Sequence, residues 1–279
     1  MPSSFPVPEA YTSEAADIER DESKRQSSPL SFFFARGWGV VLAANYFIDE
    51  RLTGSPGVAR KHRHRIQYAA FGQLMAAFEW CIKDFIAQLV DATDLLDEKI
   101  EAARWINVEK SRVLASREAS ASAGAMLIHP TQGWHDTSNL NGRYTELFQH
   151  APLPKGEVET LERLWLLRHS VAHNAGFVTN HDAYRMRAPS LSQKSVKIDG
   201  LFLESTWTFL GNVVRRLDVP IGASVVHTWC KQEAIGDFGQ DQLVYTRLKH
   251  ITTAIESRSQ PLPVITAADY AADLAAATP

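Results

Sequence analysis

Between His64 and Ala92 the apolar residues Phe71, Leu74, Met75, Phe78, Ile82, Phe85, Ile86 and Leu89 recur at steps of three and four. That is the period of an α-helix with one buried stripe; a strand would alternate faces every second residue. At 1.5 Å per residue such a helix runs for about 40 Å. It hides its stripe by packing against other helices, and the rest of the chain reads the same way. "PLSFFFARGWGVVLAANYFIDERL" offers Phe32, Phe33, Trp38, Val41, Leu42 and Tyr46 to an earlier buried helix, which "TGSPG", Thr53 to Gly57, brings to an end. A charged helical stretch is expected from Leu95 to Ala121. The segment His129 to Phe148 reads as loop with a short helix at its end. Further helices are expected over Val158–His173, Leu201–Leu217 and Ala223–Ile255. The fold class is therefore all-α, an antiparallel helical bundle. A polar insert, Asn180 to Gly200, precedes the penultimate long helix and is read as holding a short β-hairpin. An insert of that length favours a functional role over a plain connection.

Residues 1–28, rich in Ser, Pro and Glu, read as a flexible lead. The helical domain spans 29–255, and 256–279 reads as a linker and short tail with an Ala-rich helix from Ala267. No apolar run approaches the roughly 20 residues of a membrane span, and the N-terminus lacks the basic-then-apolar order of a secretory leader. The expectation is a cytoplasmic protein with no membrane partner. The only two cysteines, Cys81 and Cys230, lie far apart in helical segments, which argues against a disulfide framework or a Cys-based zinc site. A formal charge of −3 gives no overall nucleic-acid signature. One local patch does: "ARKHRHR", Ala59 to Arg65, gathers Arg60, Lys61, Arg63 and Arg65 into a short basic run that is either a solvated helix start or a phosphate track.

The stretch "LWLLRHSVAHNAGF", Leu164 to Phe177, carries the chemistry. On an ideal helix of about 100° per residue, Arg168 falls near the middle of the arc formed by Val158, Leu161, Leu164, Trp165, Leu167, Val171 and Ala172. A guanidinium cannot shed its proton, so there it needs a carboxylate, a phosphate or a path to water. Glu79, at the edge of the long helix's stripe, offers the carboxylate. His169 and His173 lie one turn apart at the polar margin. The helix's negative end favours the charged form of His173 in the last turn, and Asn174 with Gly176 supplies a left-handed cap. A structural reading pairs Arg168 with Glu79. A chemical reading uses histidine to move a hydroxyl proton and arginine to hold charge building on phosphorus.

"RHSVAH", Arg168 to His173, resembles the Arg-x4-His signature of the HEPN family of helical bundles, in which a polar residue follows the arginine; His169 fills that place. "LMAAFEWCIKDFIAQL", Leu74 to Leu89, is similar to an earlier bundle helix of that family. "SVKIDGLFLESTWTFLGNVVRRL" is similar to its hairpin-then-helix ending. The resemblance spans Phe32 to Leu217. It implies an RNA-cleaving enzyme without metal or other cofactor. His173 would act as general base on a ribose 2'-hydroxyl, Arg168 would stabilise the phosphorane, and His169 would orient the pair or contact phosphate. Asn174, Arg60, Lys61, Arg63 and Arg65 would bind substrate. The resemblance further implies a homodimer with both motifs facing one cleft, a role as a toxin or defence effector, and an antitoxin or other regulatory protein as partner. Ala175 stands where one HEPN toxin group carries a tyrosine that its antitoxin modifies, which speaks against that form of control.

Other readings compete. A non-catalytic HEPN module would bind RNA, nucleotide or protein with the same cleft, and a purely structural bundle would use Arg168 to fix register. His169 and His173 could form half of a zinc site, with His181, His227 or Asp136 as a third ligand, although the residues between them lack the acid of an HExxH motif. "GWHDTSN" has no serine in a nucleophile-elbow context, and no phosphate-binding glycine loop is present.

Overall fold

The long amphipathic helix organises the molecule. The computed structural model describes residues 27–46, 58–106, 122–127, 134, 137–257 and 260–277, with only the backbone described for Tyr46 and for 58–61. Helix α1 spans Pro29–Tyr46 and α2 spans Val58–Ala92, six residues longer at its start than the apolar period predicts. The basic run is thus the first turns of α2. All eight stripe residues of α2 are fully buried. At roughly 25 cal/mol per Å2 of apolar surface, each large side chain so placed contributes about 1.5–3 kcal/mol. α1 lies along α2 and adds Leu30, Phe33, Phe34 and Val41 to the core, whereas Leu42 is left exposed.

Short helices follow: α3, Asp97–Ala102, and α4, Ala123–Leu127. The helical stretch expected from Leu95 is described only as far as α3, because 107–121 lies outside the described residues. α5, Thr137–Phe148, is a full three turns where mostly loop was expected. Leu140, Tyr144 and Leu147 recur at helical spacing and are buried, and the Tyr144 hydroxyl donates to the Ile82 carbonyl of α2 at 2.7 Å. Then come α6, Lys155–His173, and α7, Asn180–Arg185, with α8, Gly200–Arg216, beyond. A π-helical turn over Leu217–Gly222, with Pro220 inside it, bends the chain into α9, Ala223–Gln232. The single helix expected from Ala223 to Ile255 is two, α9 and α10, Phe238–Thr252. Gly236 sits at φ 85° between them, and Asp237 caps α10 by accepting from the Gly239 N–H. α2 packs against α1, α4, α6, α8 and α10, so it is the axis of an all-α bundle.

The segment read as linker and tail ends in α11, Ala267–Ala277, which docks on α9. Tyr270 is buried against Tyr245 with ring centroids 5.0 Å apart. The start of α1 is fastened to the far end of the bundle. Ser28 and Ser31 are buried and donate to the Thr253 carbonyl at 3.0 and 3.1 Å. Residues 1–26 lie outside the described residues. Both cysteines are free and buried, and no described helix is long and apolar enough to cross a membrane.

No β-hairpin occupies the insert. It contains α7 and a 3-10 turn, Pro189–Leu191, closed by one antiparallel bridge between Phe177 and Ser195. The reason is local. Thr179 accepts the Asp182 N–H as a helix cap, and Ala183 and Met186, three apart, bury with Val178 against Leu166 of α6. This second small apolar cluster fixes the insert beside the C-terminal half of α6.

Candidate functional site

α6 is buried on two sides. Leu161, Leu164 and Trp165 face the main core, while Leu166 and Ser170 face the insert. The strip of α6 between these faces borders a cleft of about 430 Å3, and Arg168, His169 and His173 all line it. The facing wall is α7, which supplies His181, Asp182 and Arg185, and Thr137 at the start of α5 closes one side. The His169 and His173 rings lie 4.9 Å apart, centroid to centroid.

Asp182 is the best-anchored polar group of the cleft. Its carboxylate is 5% exposed and lies 3.6 Å from His169 Nδ1. Its Oδ2 accepts from the buried Ser170 hydroxyl at 3.3 Å and from the Asn174 amide at 3.4 Å. A buried carboxylate near one ring nitrogen attracts that side of the imidazole and leaves Nε2 for work on a ligand. Asn174, expected to bind substrate, directs its amide N–H to Asp182.

α6 ends in a tight turn that aims these groups. Asn174 is the C-cap, and Ala175 and Gly176 follow at φ 54° and 87°. Gly176 is left-handed as expected of the cap, whereas Asn174 has φ −116° and Ala175 takes the other left-handed position. The Gly176 N–H donates to the Ser170 carbonyl at 2.9 Å. A Cβ at Gly176 would lie 2.4 Å from the Tyr68 ring, so glycine is required on steric as well as conformational grounds. Tyr68 in turn donates to the Val196 carbonyl at 2.6 Å, tying α2 to the chain that returns from the insert.

The ion pair expected between Arg168 and Glu79 is not formed. Glu79 is buried and pairs with Lys83, one turn on in α2. A neighbour on the same helix is already in register, at the i, i+4 spacing that favours such pairs. Arg168, half-buried at the cleft, carries no ion pair or hydrogen bond among the described residues. Arg63 and Arg65 are exposed on the first turns of α2. Arg63 lines a separate cleft beside Ala175 and Phe177, and Arg65 lines neither. The side chains of Arg60 and Lys61 lie outside the described residues. Among those described, no three His, Cys, Asp or Glu side chains are grouped so as to hold a metal ion.

Sequence reading missed Asp182 and Arg185 and weighed His181 only as a zinc ligand. Thr179 three residues before Asp182 is a capping pattern. Taken as a helix start, it would have put His181, Asp182 and Arg185 on adjoining positions of one short helix. Comparison with protein-family models, with curated proteins and with solved structures returned no match. What the cleft does is therefore read from its own residues.

Proposed function

We propose that this cleft cleaves RNA by internal attack of a ribose 2'-hydroxyl, without a metal ion, as the resemblance to HEPN ribonucleases implies. The observation that carries the reading is that Arg168, His169 and His173 share one accessible cleft with a buried carboxylate behind His169. His173 takes the 2'-hydroxyl proton. The resulting oxygen attacks the adjacent phosphorus, and Arg168 holds the charge that gathers on the non-bridging oxygens. His169, beside Asp182, gives a proton to the departing 5'-oxygen. The products are a 2',3'-cyclic phosphate and a 5'-hydroxyl. The same reading includes a homodimer with the two motifs facing one cleft. It also includes service as a toxin or defence effector restrained by an antitoxin or other regulatory protein.

Purified protein incubated with cellular RNA in EDTA tests it. Wild type cuts, and Arg168→Ala and His173→Ala each lose about 100-fold or more while keeping the native circular dichroism spectrum. Tight RNA binding without any cutting, abolished by Arg168→Ala, would instead make the protein a non-catalytic RNA-binding module.

A further inference from the structure

Two exposed aromatic rings flank the cleft, each accompanied by cations. On the α7 side Tyr184 is 82% exposed and shares a groove with Arg185 and Arg187. Arg185 also lines the catalytic cleft, so the two depressions meet at its side chain. On the other side Phe177, just past the α6 cap, is 54% exposed. It lines a cleft of about 680 Å3 with Arg63 of α2 and Lys197. His173 lines the central cleft and Ala175 the Phe177 cleft. Two residues of chain span at most about 7 Å, so the two clefts take lining residues from neighbouring positions at the end of α6.

The charges leave room for phosphate. Arg185 and Arg187 face Glu162 and Glu159 at 3.9 Å each, loose surface contacts of the kind that contribute little. In the Phe177 cleft the acid Asp199 is committed to capping α8 through the Phe202 N–H at 2.9 Å. Lys197 is 88% exposed, with Asp199 3.8 Å away. A lone exposed aromatic is ordinary. A ring with two cations on each side of the cleft that holds Arg168, His169 and His173 matches what a single-stranded nucleic acid needs, a face for each base and a positive charge for each phosphate.

We propose that the Tyr184 and Phe177 clefts are nucleotide subsites on either side of the scissile phosphate, each ring stacking one unpaired base. The bound strand then runs from Tyr184, past Arg168 and the histidines, to Phe177. A duplex hides the faces of its bases and cannot use either ring. This rests on the reading of the central cleft as acting on RNA.

Fluorescence anisotropy with a labelled 2'-O-methyl oligonucleotide tests the subsites separately from cleavage, because that strand has no attacking hydroxyl. Wild type binds the single strand and discriminates against the annealed duplex. Phe177→Ala and Tyr184→Ala each weaken binding about 5- to 150-fold, the range for loss of one stacked base, and Phe177→Trp and Tyr184→Phe restore it. Both rings are exposed, so the variants keep the native fold, checked by thermal unfolding. Alanine variants that bind like wild type, a duplex bound as tightly as the single strand, or no binding at all would overturn the proposal. Ring-dependent binding by a protein that never cuts removes the ribonuclease and leaves the subsites. Cutting with ring-independent binding does the reverse.

Discussion

Arg168 lies where the core-facing side of α6 thins out: Leu161, Leu164 and Trp165 before it are buried, Val171 after it is half-buried and Ala172 exposed, while Ser170 is buried on the insert side. An ideal-helix projection puts Arg168 amid apolar neighbours because it cannot see where the core ends. The guanidinium therefore needs no buried acid, and Glu79 is held by Lys83. The residue that does matter behind the histidines is Asp182. Asp182→Asn keeps the shape of the side chain and its acceptor for Ser170 but removes the charge facing His169. We expect kcat for RNA cleavage to fall about 10-fold or more with KM and stability unchanged, and Asp182→Glu to recover part of it. Loss of stability with unchanged kcat per folded molecule would make Asp182 a structural residue only.

At the scale of single elements, α2 hides an acid as well as its apolar stripe. Burial raises the Asp84 carboxyl to about 6, against the lowering effect of the Gln88 amide that donates to it at 2.7 Å. A folded-state pKa above the unfolded value of 3.8 means that the native state holds the proton more tightly. The stabilisation is thus complete below pH 3.8, declines as pH rises to about 6, and is absent above it. Asp84→Asn should accordingly be more stable than wild type in urea unfolding at pH 7, with the advantage shrinking toward pH 4; equal stability across that range would contradict the burial of this group. α2 is also the element most legible in the sequence, since eight apolar residues at helical spacing leave no other fold for it. α7 was the least legible. It is six residues long, and its apolar pair Ala183 and Met186 is too short a pattern to separate helix from hairpin without the Thr179 cap. The break between α9 and α10 was written in Gly236 and Asp237, but the apolar period runs on across it.

Across the whole molecule, the two ends of the described chain close the bundle. Ser28 and Ser31 fasten α1 to the end of α10, and α11 seals α9 and α10 with Tyr270. Burial and the Asp241 carboxylate that accepts its hydroxyl push the Tyr270 phenol up to about 12. Tyr270→Ala should cost about 3–5 kcal/mol, the range for truncating a buried aromatic, read as a lowered urea midpoint. A change below about 0.5 kcal/mol would return 256–279 to the status of a dispensable tail. All-α architecture and the clustering of Arg168, His169 and His173 followed from period and motif. The second wall of the cleft did not, because it comes from an insert whose place is set by tertiary packing on Leu166 and Ser170. The central claim is that this wall and α6 together drive attack by a 2'-hydroxyl. The most direct test is mass spectrometry of the ends left on a defined RNA strand by wild-type protein in EDTA, beside a strand of the same sequence 2'-O-methylated throughout. The account predicts 2',3'-cyclic phosphate and 5'-hydroxyl ends from the first strand and no cutting of the second. Ends bearing a 3'-hydroxyl and a 5'-phosphate, or cutting of the methylated strand, would contradict it.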